Sequence, residues 1–276
     1  STKLYLNVLR SNSVEASKLV EKNKFIAIDT STHPNTNIGP WHFGVSDAYK
    51  IENIYTDGVY DSPNSKFTSH GANVTGEFDF DNGQRDTFYD TSSITLKPES
   101  TLDITSKHLI IEFSYFKRAS STGTGYFSVD SYPLPELHVQ PTNAQIRIEE
   151  IPIFTSRKNG AEYDLRDCID MRPTRPYSAS LPVNAYDTAQ IPINPVYSET
   201  FDNSTVPWIT PTPDENFICD AHFYLARKDR VVVSQGSSFH IQSGVPSLSP
   251  KTPPEIAGGM TLGILEIPPY PSLSPY

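Results

Sequence analysis

The chain has 276 residues and a formal net charge of −10, with 32 acidic and 22 basic side chains. That length allows one large or two smaller domains, and the missing basic footprint argues against a nucleic-acid partner, since phosphate contacts dominate such binding. No run of about 18 apolar residues suggests a membrane partner, and residues 1–30 lack the basic start and apolar run of a secretory signal.

Residues 1–44 read as a lead-in segment. Leu4, Leu6 and Val8 allow one short strand, Val14 to Lys24 two helical turns capped by Ser13, and Phe25 to Ile28 a short apolar run. From Val45 the pattern changes to strands, and residues 45–172 read as a β-rich module. Phe78 and Phe80 alternate with Asp79 and Asp81, and Asn82-Gly83 follows, a hairpin signal because both residues tolerate positive φ. Ile94 and Leu96 form a strand ended by Pro98. The clearest strand is Leu109 to Phe116, apolar on both faces, as a central strand packed on two sides requires. Ala144 to Phe154 alternates again, and Lys158-Asn159-Gly160 predicts the turn of another hairpin.

Residues 173–216 are rich in proline with little periodicity, which predicts a linker or an extended arm. Residues 217–276 read as a C-terminal β-strand module, with strands at Ile218 to Leu225, Arg230 to Val233, Phe239 to Ile241 and Met260 to Ile267. The expected class is all-β with little helix: one or two small β-sandwich modules joined by a Pro-rich extended segment. The 24 prolines, with 14 Phe and 15 Tyr, fit short strands joined by ordered loops. The start at Ser1-Thr2-Lys3 and the Pro/Ser/Tyr run at the end suggest a segment of a longer polypeptide.

Chemistry-bearing motifs are sparse. Cys168 and Cys219 read as isolated thiols of a protein made in a reducing cytosol. No pair among His33, His42, His70, His108, His138, His222 and His240 has metal-ligand spacing on a helix face; Cys219 and His222 could supply two ligands, but a second pair is missing. The run Asp79 to Asp86 places oxygen donors around a glycine, as calcium loops do, yet Asp90 stands where such a loop has glutamate, and the setting favours a hairpin. The run Tyr163 to Pro173 offers Asp167 and Asp170 as an acid–base pair. The alternative, favoured here, is a network in which Arg166 and Arg172 neutralise Asp164, Asp167 and Asp170, since no nucleophile or glycine cradle accompanies them. No catalytic, cofactor-binding or metal residue is therefore assigned.

Four blocks in order resemble a family of large virion structural proteins of T4-like and cyanobacterial contractile-tailed phages. They are Asp81 to Asp86 with Phe88-Tyr89; Gly125 to Tyr132; Tyr163 to Pro173; and Tyr224 to Arg230 with Gly244 to Ser247. Cys168 and Met171 depart from the aromatic or aliphatic residues expected there. The resemblance implies a structural role in a virion tail, in the baseplate or the base of a tail fibre. It further implies assembly in the host cytoplasm, other tail and baseplate subunits as partners, an oligomeric state in the particle, and no catalytic residue. A carbohydrate- or receptor-binding fibre module is the alternative, with Trp41 and Trp208 as stacking candidates. A hydrolase acting on the cell envelope ranks below both.

Overall fold

A computed structural model describes residues 14–31, 38–56, 59–61, 66–105, 107–119, 125–135, 144–175, 182–183, 214, 216–219 and 225–269. The all-β class holds: the protein is built of small antiparallel sheets, and among the described residues helix is confined to short 3-10 turns such as Val129–Ser131.

The alternating segment expected at Leu109 to Phe116 is the central strand β8 (His108–Arg118), flanked by β1 (Lys18–Asp29) and β3 (Ala48–Tyr55). Its two apolar faces serve separate cores. Leu109, Ile111, Phe113 and Tyr115 enter the largest cluster, while Phe116 and Ile110 enter two others. A second sheet has the order β2-β7-β6, from β2 (Trp41–Ser46), β6 (Phe78–Asp81) and β7 (Thr91–Leu96). Ile26, Ile28 and Ile54 of the first sheet share one core with Trp41, Phe43 and Ile94 of the second. The rings of Phe43 and Phe113 meet across it at 4.8 Å. The two sheets thus form a small sandwich, held by burial of alternate residues from each strand.

Several local expectations need correction. Val14 to Lys24 makes no helical turns; Lys18 onward belongs to β1. Two turns of helix are marginal alone, and pairing with β8 satisfies the same backbone groups while burying Val20 and Phe25 to Ile28. The register slips between Glu21 and Lys24, where Asn23 takes φ +50° and its N–H donates to Ser114 Oγ at 3.2 Å. Lys18–Asp29 and the residues from Trp41 onward are thus sheet and core rather than lead-in, and a boundary at 45 would fall inside β2. Strands β6 and β7 do pair as a hairpin, but a loop over 82–90 joins them in place of a tight Asn-Gly turn. Ala144 to Phe154 yields only β9 (Ile153–Thr155), preceded by the 3-10 turn Ile148–Glu150. The expected strand at Ile218 to Leu225 is absent from its described residues, 218–219 and 225.

The hairpin around Lys158-Asn159-Gly160 is present, pairing β9 with β10 (Glu162–Asp164) and giving Gly160 φ +71°. Two short strands, β4 (Val59–Asp61) and β5 (Lys66–Ser69), form another ribbon. The start of the Pro-rich stretch lies on the sandwich. Tyr89 N–H donates to Pro173 O at 2.8 Å, Arg175 N–H to Tyr89 O at 3.0 Å, and Phe25 and Val183 exchange backbone bonds of 2.8 and 3.2 Å. Most of residues 173–216, including Trp208, lies outside the described residues.

The C-terminal sheet has β11 (Arg227–Ser234) between β12 (Phe239–Gln242) and β13 (Gly259–Ile267). Its two faces differ. On one, Val232 is buried beside the returning segment around Ile256, and the Arg230 guanidinium donates to Pro253 O at 2.8 and 3.1 Å. Cross-strand partners share a face, so Val231 with Ile241 and Val233 with Phe239 and Met260 line the other. There Phe239 is 73%, Ile241 59% and Met260 64% exposed.

Candidate functional site: a buried charged junction

Five separate stretches of chain meet beneath β8 around charged side chains removed from water. Lys18 comes from the start of β1, Asp47 from the corner between β2 and β3, Gln84 and Tyr89 from the 82–90 loop, Tyr132 from the segment after β8, and Asp170 with Arg172 from the segment after β10. Each is less than a tenth exposed. Unpaired charges at such a site would cost several kcal/mol each, about the size of a small domain's whole stability, so the pairing must be thorough.

It is. Lys18 Nζ lies 2.6 Å from Asp47 Oδ2 and donates to Tyr132 Oη at 3.2 Å and Tyr89 Oη at 3.4 Å. The rings of Tyr89, Phe127, Tyr132 and Phe116 surround the same nitrogen, with centroids 4.5 to 5.6 Å away. Asp47 reaches this position from φ +60°, a left-handed conformation that aspartate tolerates better than most residues. Gln84 Nε2 donates to Asp47 Oδ1 at 3.2 Å, and Gln84 Oε1 accepts from Arg172 Nη2 at 3.3 Å. The guanidinium, which can only donate, therefore fixes which end of the Gln84 amide faces Asp47. Arg172 also grips Asp170, Nε to Oδ1 at 2.9 Å and Nη2 to Oδ2 at 2.8 Å, and donates to Tyr89 Oη at 3.1 Å. The Tyr89 hydroxyl donates to Asp170 Oδ2.

Burial sets the acid–base character of these groups. It raises the Asp47 carboxyl above its ordinary value, against the pull of Lys18 and Gln84. At Lys18 burial works to lower the pKa, and the charges of Asp47, Tyr132 and Asp170 overcome it, leaving the ammonium favoured. Burial pushes Tyr132 up to about 12 and Tyr89 well above the usual phenol range. Asp170 is the exception: burial works to raise it, but the bonds and charge of Arg172 hold it below the ordinary carboxylate value.

Of the arginine–aspartate network favoured from sequence for the Tyr163 to Pro173 run, the pairs at Asp164 and Asp170 are formed. Arg172 pairs with Asp170, and Arg166 with Asp164. Asp167 is exposed, its N–H donating to Asp164 O, and forms no acid–base dyad with the buried Asp170. In the calcium-like run, the Asp81 carboxylate is held by Arg85 at 2.9 Å and Arg157 at 2.8 Å. Two guanidinium groups on that oxygen set leave it poorly suited to a hard cation. Among the described residues no group of three or more His, Cys, Asp or Glu is placed to hold a metal. Cys168 and Cys219 are free and half-buried, and His222 lies outside the described residues. Trp41 is fully buried in the sandwich core, out of reach of a sugar.

Sequence reasoning found Asp170 and Arg172 but missed Lys18, Asp47, Gln84, Tyr89 and Tyr132 as a set. Gln84, Tyr89 and Tyr132 stood inside blocks already singled out, and Asp47 carried a weaker signal, a charge next to Val45 and Ala48-Tyr49. An open cleft of about 500 Å³ lies nearby, lined by Tyr49, Phe80, Asp81, Asn82, Phe154 and Arg157 among others.

No family model matches the chain, and no curated protein or solved structure is significantly similar to it.

Proposed function

We propose that the chain is a structural module of a bacteriophage particle, in the tail baseplate or the base of a tail fibre, and that its work is protein–protein assembly rather than catalysis. The four ordered residue blocks point to this class. The observation that carries assembly is the C-terminal sheet, one face of which leaves Phe239, Ile241 and Met260 exposed, while on the other Val232 and Arg230 are buried. Contiguous apolar surface on a folded sheet marks a contact face. The natural occupants are neighbouring tail subunits, with the module oligomeric in the particle. The buried junction supports the same reading: it ties distant segments into a rigid body and presents no reacting group to solvent.

Mass spectrometry of purified virions, split into heads and tails, tests this. Stoichiometric peptides from this chain in the tail fraction are expected; their absence from particles sinks the proposal.

The cleft beside Tyr49 and Phe80 favours one second reading, a carbohydrate- or receptor-binding fibre module, because aromatic faces next to Asp81, Asn82 and Arg157 suit a sugar. Binding on a glycan array that is lost in Phe80→Ala supports it; a flat response across sugars and host cells removes it.

A further inference from the structure

We propose that Lys18 and Asp47 are joined by an intramolecular isopeptide bond, formed spontaneously by the folded protein between Lys18 Nζ and Asp47 Cγ.

The geometry supplies what amide formation needs. The nucleophile and the carboxyl group are held together, with Nζ 2.6 Å from Oδ2, by strand β1 and the β2–β3 corner. Fixing both partners on rigid elements removes the entropic cost that makes such a reaction slow in solution. The rings of Tyr89, Phe116, Phe127 and Tyr132 wall the pair off, and both side chains are almost wholly buried. Excluding water favours an uncharged amide over an ion pair and protects the product from hydrolysis. Gln84 Nε2 points at Asp47 Oδ1, the oxygen on which negative charge develops when the carbonyl carbon is attacked. Arg172 holds that amide in the donating orientation. The Tyr89 hydroxyl touches Lys18 Nζ at 3.4 Å and donates to Asp170, giving the proton of the attacking nitrogen a route to a carboxylate kept ionised by Arg172.

The step balances without an oxidant or co-reactant. One proton crosses the 2.6 Å contact from Nζ to Oδ2, converting ammonium and carboxylate into amine and acid. The burial that raises the Asp47 carboxyl assists this transfer, while the charges that favour the Lys18 ammonium oppose it. The Nζ lone pair then forms a bond to Cγ, and Oδ1 takes the charge beside Gln84. The nitrogen gives up a proton through Tyr89 to Asp170, and that proton is returned to Oδ2 as the Cγ–Oδ2 bond breaks. The products are a secondary amide and one water molecule.

A bare buried ion pair is the competing account. Both accounts use Gln84 to satisfy Asp47 Oδ1 and Arg172 to pair Asp170; the covalent one also gives the second carboxylate, Asp170, a role as proton acceptor reached through Tyr89. Covalent closure between β1 and the β2–β3 corner would also lock the first strand of the sandwich to its second sheet.

Intact-mass spectrometry of the purified full chain, followed by peptide mapping, decides between the two. The expected mass is that of the sequence less one water, with a branched peptide joining the segments around Lys18 and Asp47 and resistant to trypsin at Lys18. Lys18→Arg and Asp47→Ala should restore the full sequence mass. Asp170→Asn, which keeps both reacting side chains, should leave a large unlinked fraction, and Asp170→Glu should recover the link. A wild-type mass equal to the full sequence, or a water loss mapped to any other pair, overturns the proposal and leaves a buried ion pair only. Because the deciding readout is the wild-type mass, misfolding of a variant cannot obscure it, and the outcome is independent of whether the chain is a virion protein.

Discussion

The Tyr89 hydroxyl donates to the Asp170 carboxylate although the two residues lie 81 positions apart, and both are buried. The same tyrosine receives Arg172 at 3.1 Å, and its backbone bonds Pro173 and Arg175. One residue in the β6–β7 loop thus anchors the segment that leaves the sandwich after β10.

Tyr89→Phe removes the hydroxyl and little else. Asp170, Arg172 and Lys18 each lose a partner in a site closed to water, so the expected loss is about 1–3 kcal/mol, read as a lower urea midpoint with an unchanged slope. A midpoint equal to wild type would mean that water reaches the junction.

Acid should weaken the protein through Asp170. Its folded pKa lies below its unfolded value of about 3.9, because Arg172 outweighs burial. A depressed carboxylate contributes fully above its unfolded pKa and loses that contribution as the pH falls through the folded one. Asp81 and Asp164 act in the same direction, since Arg85 and Arg166 overcome their burial. Urea midpoints measured downward from about pH 5 should therefore fall steadily. Asp170→Asn should start lower at neutral pH and fall less steeply.

Gly83 has φ +82°, and a Cβ there would overlap the Asp90 carbonyl oxygen. Gly83→Ala combines an unfavourable backbone conformation with a clash against main chain, so a loss of at least about 1–3 kcal/mol is expected. Gly76→Ala, in open space and at an ordinary φ, should stay within about 0.5 kcal/mol of wild type. Equal melting temperatures for the two variants would contradict the loop geometry.

Phe239→Lys with Ile241→Lys tests the exposed face of the C-terminal sheet. Neither side chain contributes to a described core cluster, so the melting temperature should change little. Each large apolar side chain buried on association contributes about 1.5–3 kcal/mol, so the pair should abolish concentration-dependent association or capture by isolated tails. Retained association would place the contact elsewhere.

Residue pattern alone was enough for the all-β class, the central strand and three C-terminal strands. The double alternation of Leu109 to Phe116 leaves one arrangement that buries both faces, and β11 to β13 follow Val, Ile and Met runs bounded by glycine. Arginine pairing after Asp164 was also legible, because it is settled between residues two positions apart. The remainder came from contacts between distant segments. Val14 to Lys24 is amphipathic enough for a helix and became a strand because β8 offered an unpaired edge. Trp41 suited a sugar or a core equally well by residue type, and β2 carries it into the sandwich core. The junction of Lys18, Asp47, Gln84, Tyr89, Tyr132, Asp170 and Arg172 draws on positions spread over more than half the chain. Its chemistry depends on distances and on the exclusion of water, neither of which is set by local residue pattern; only the pairing of strands far apart in sequence creates them.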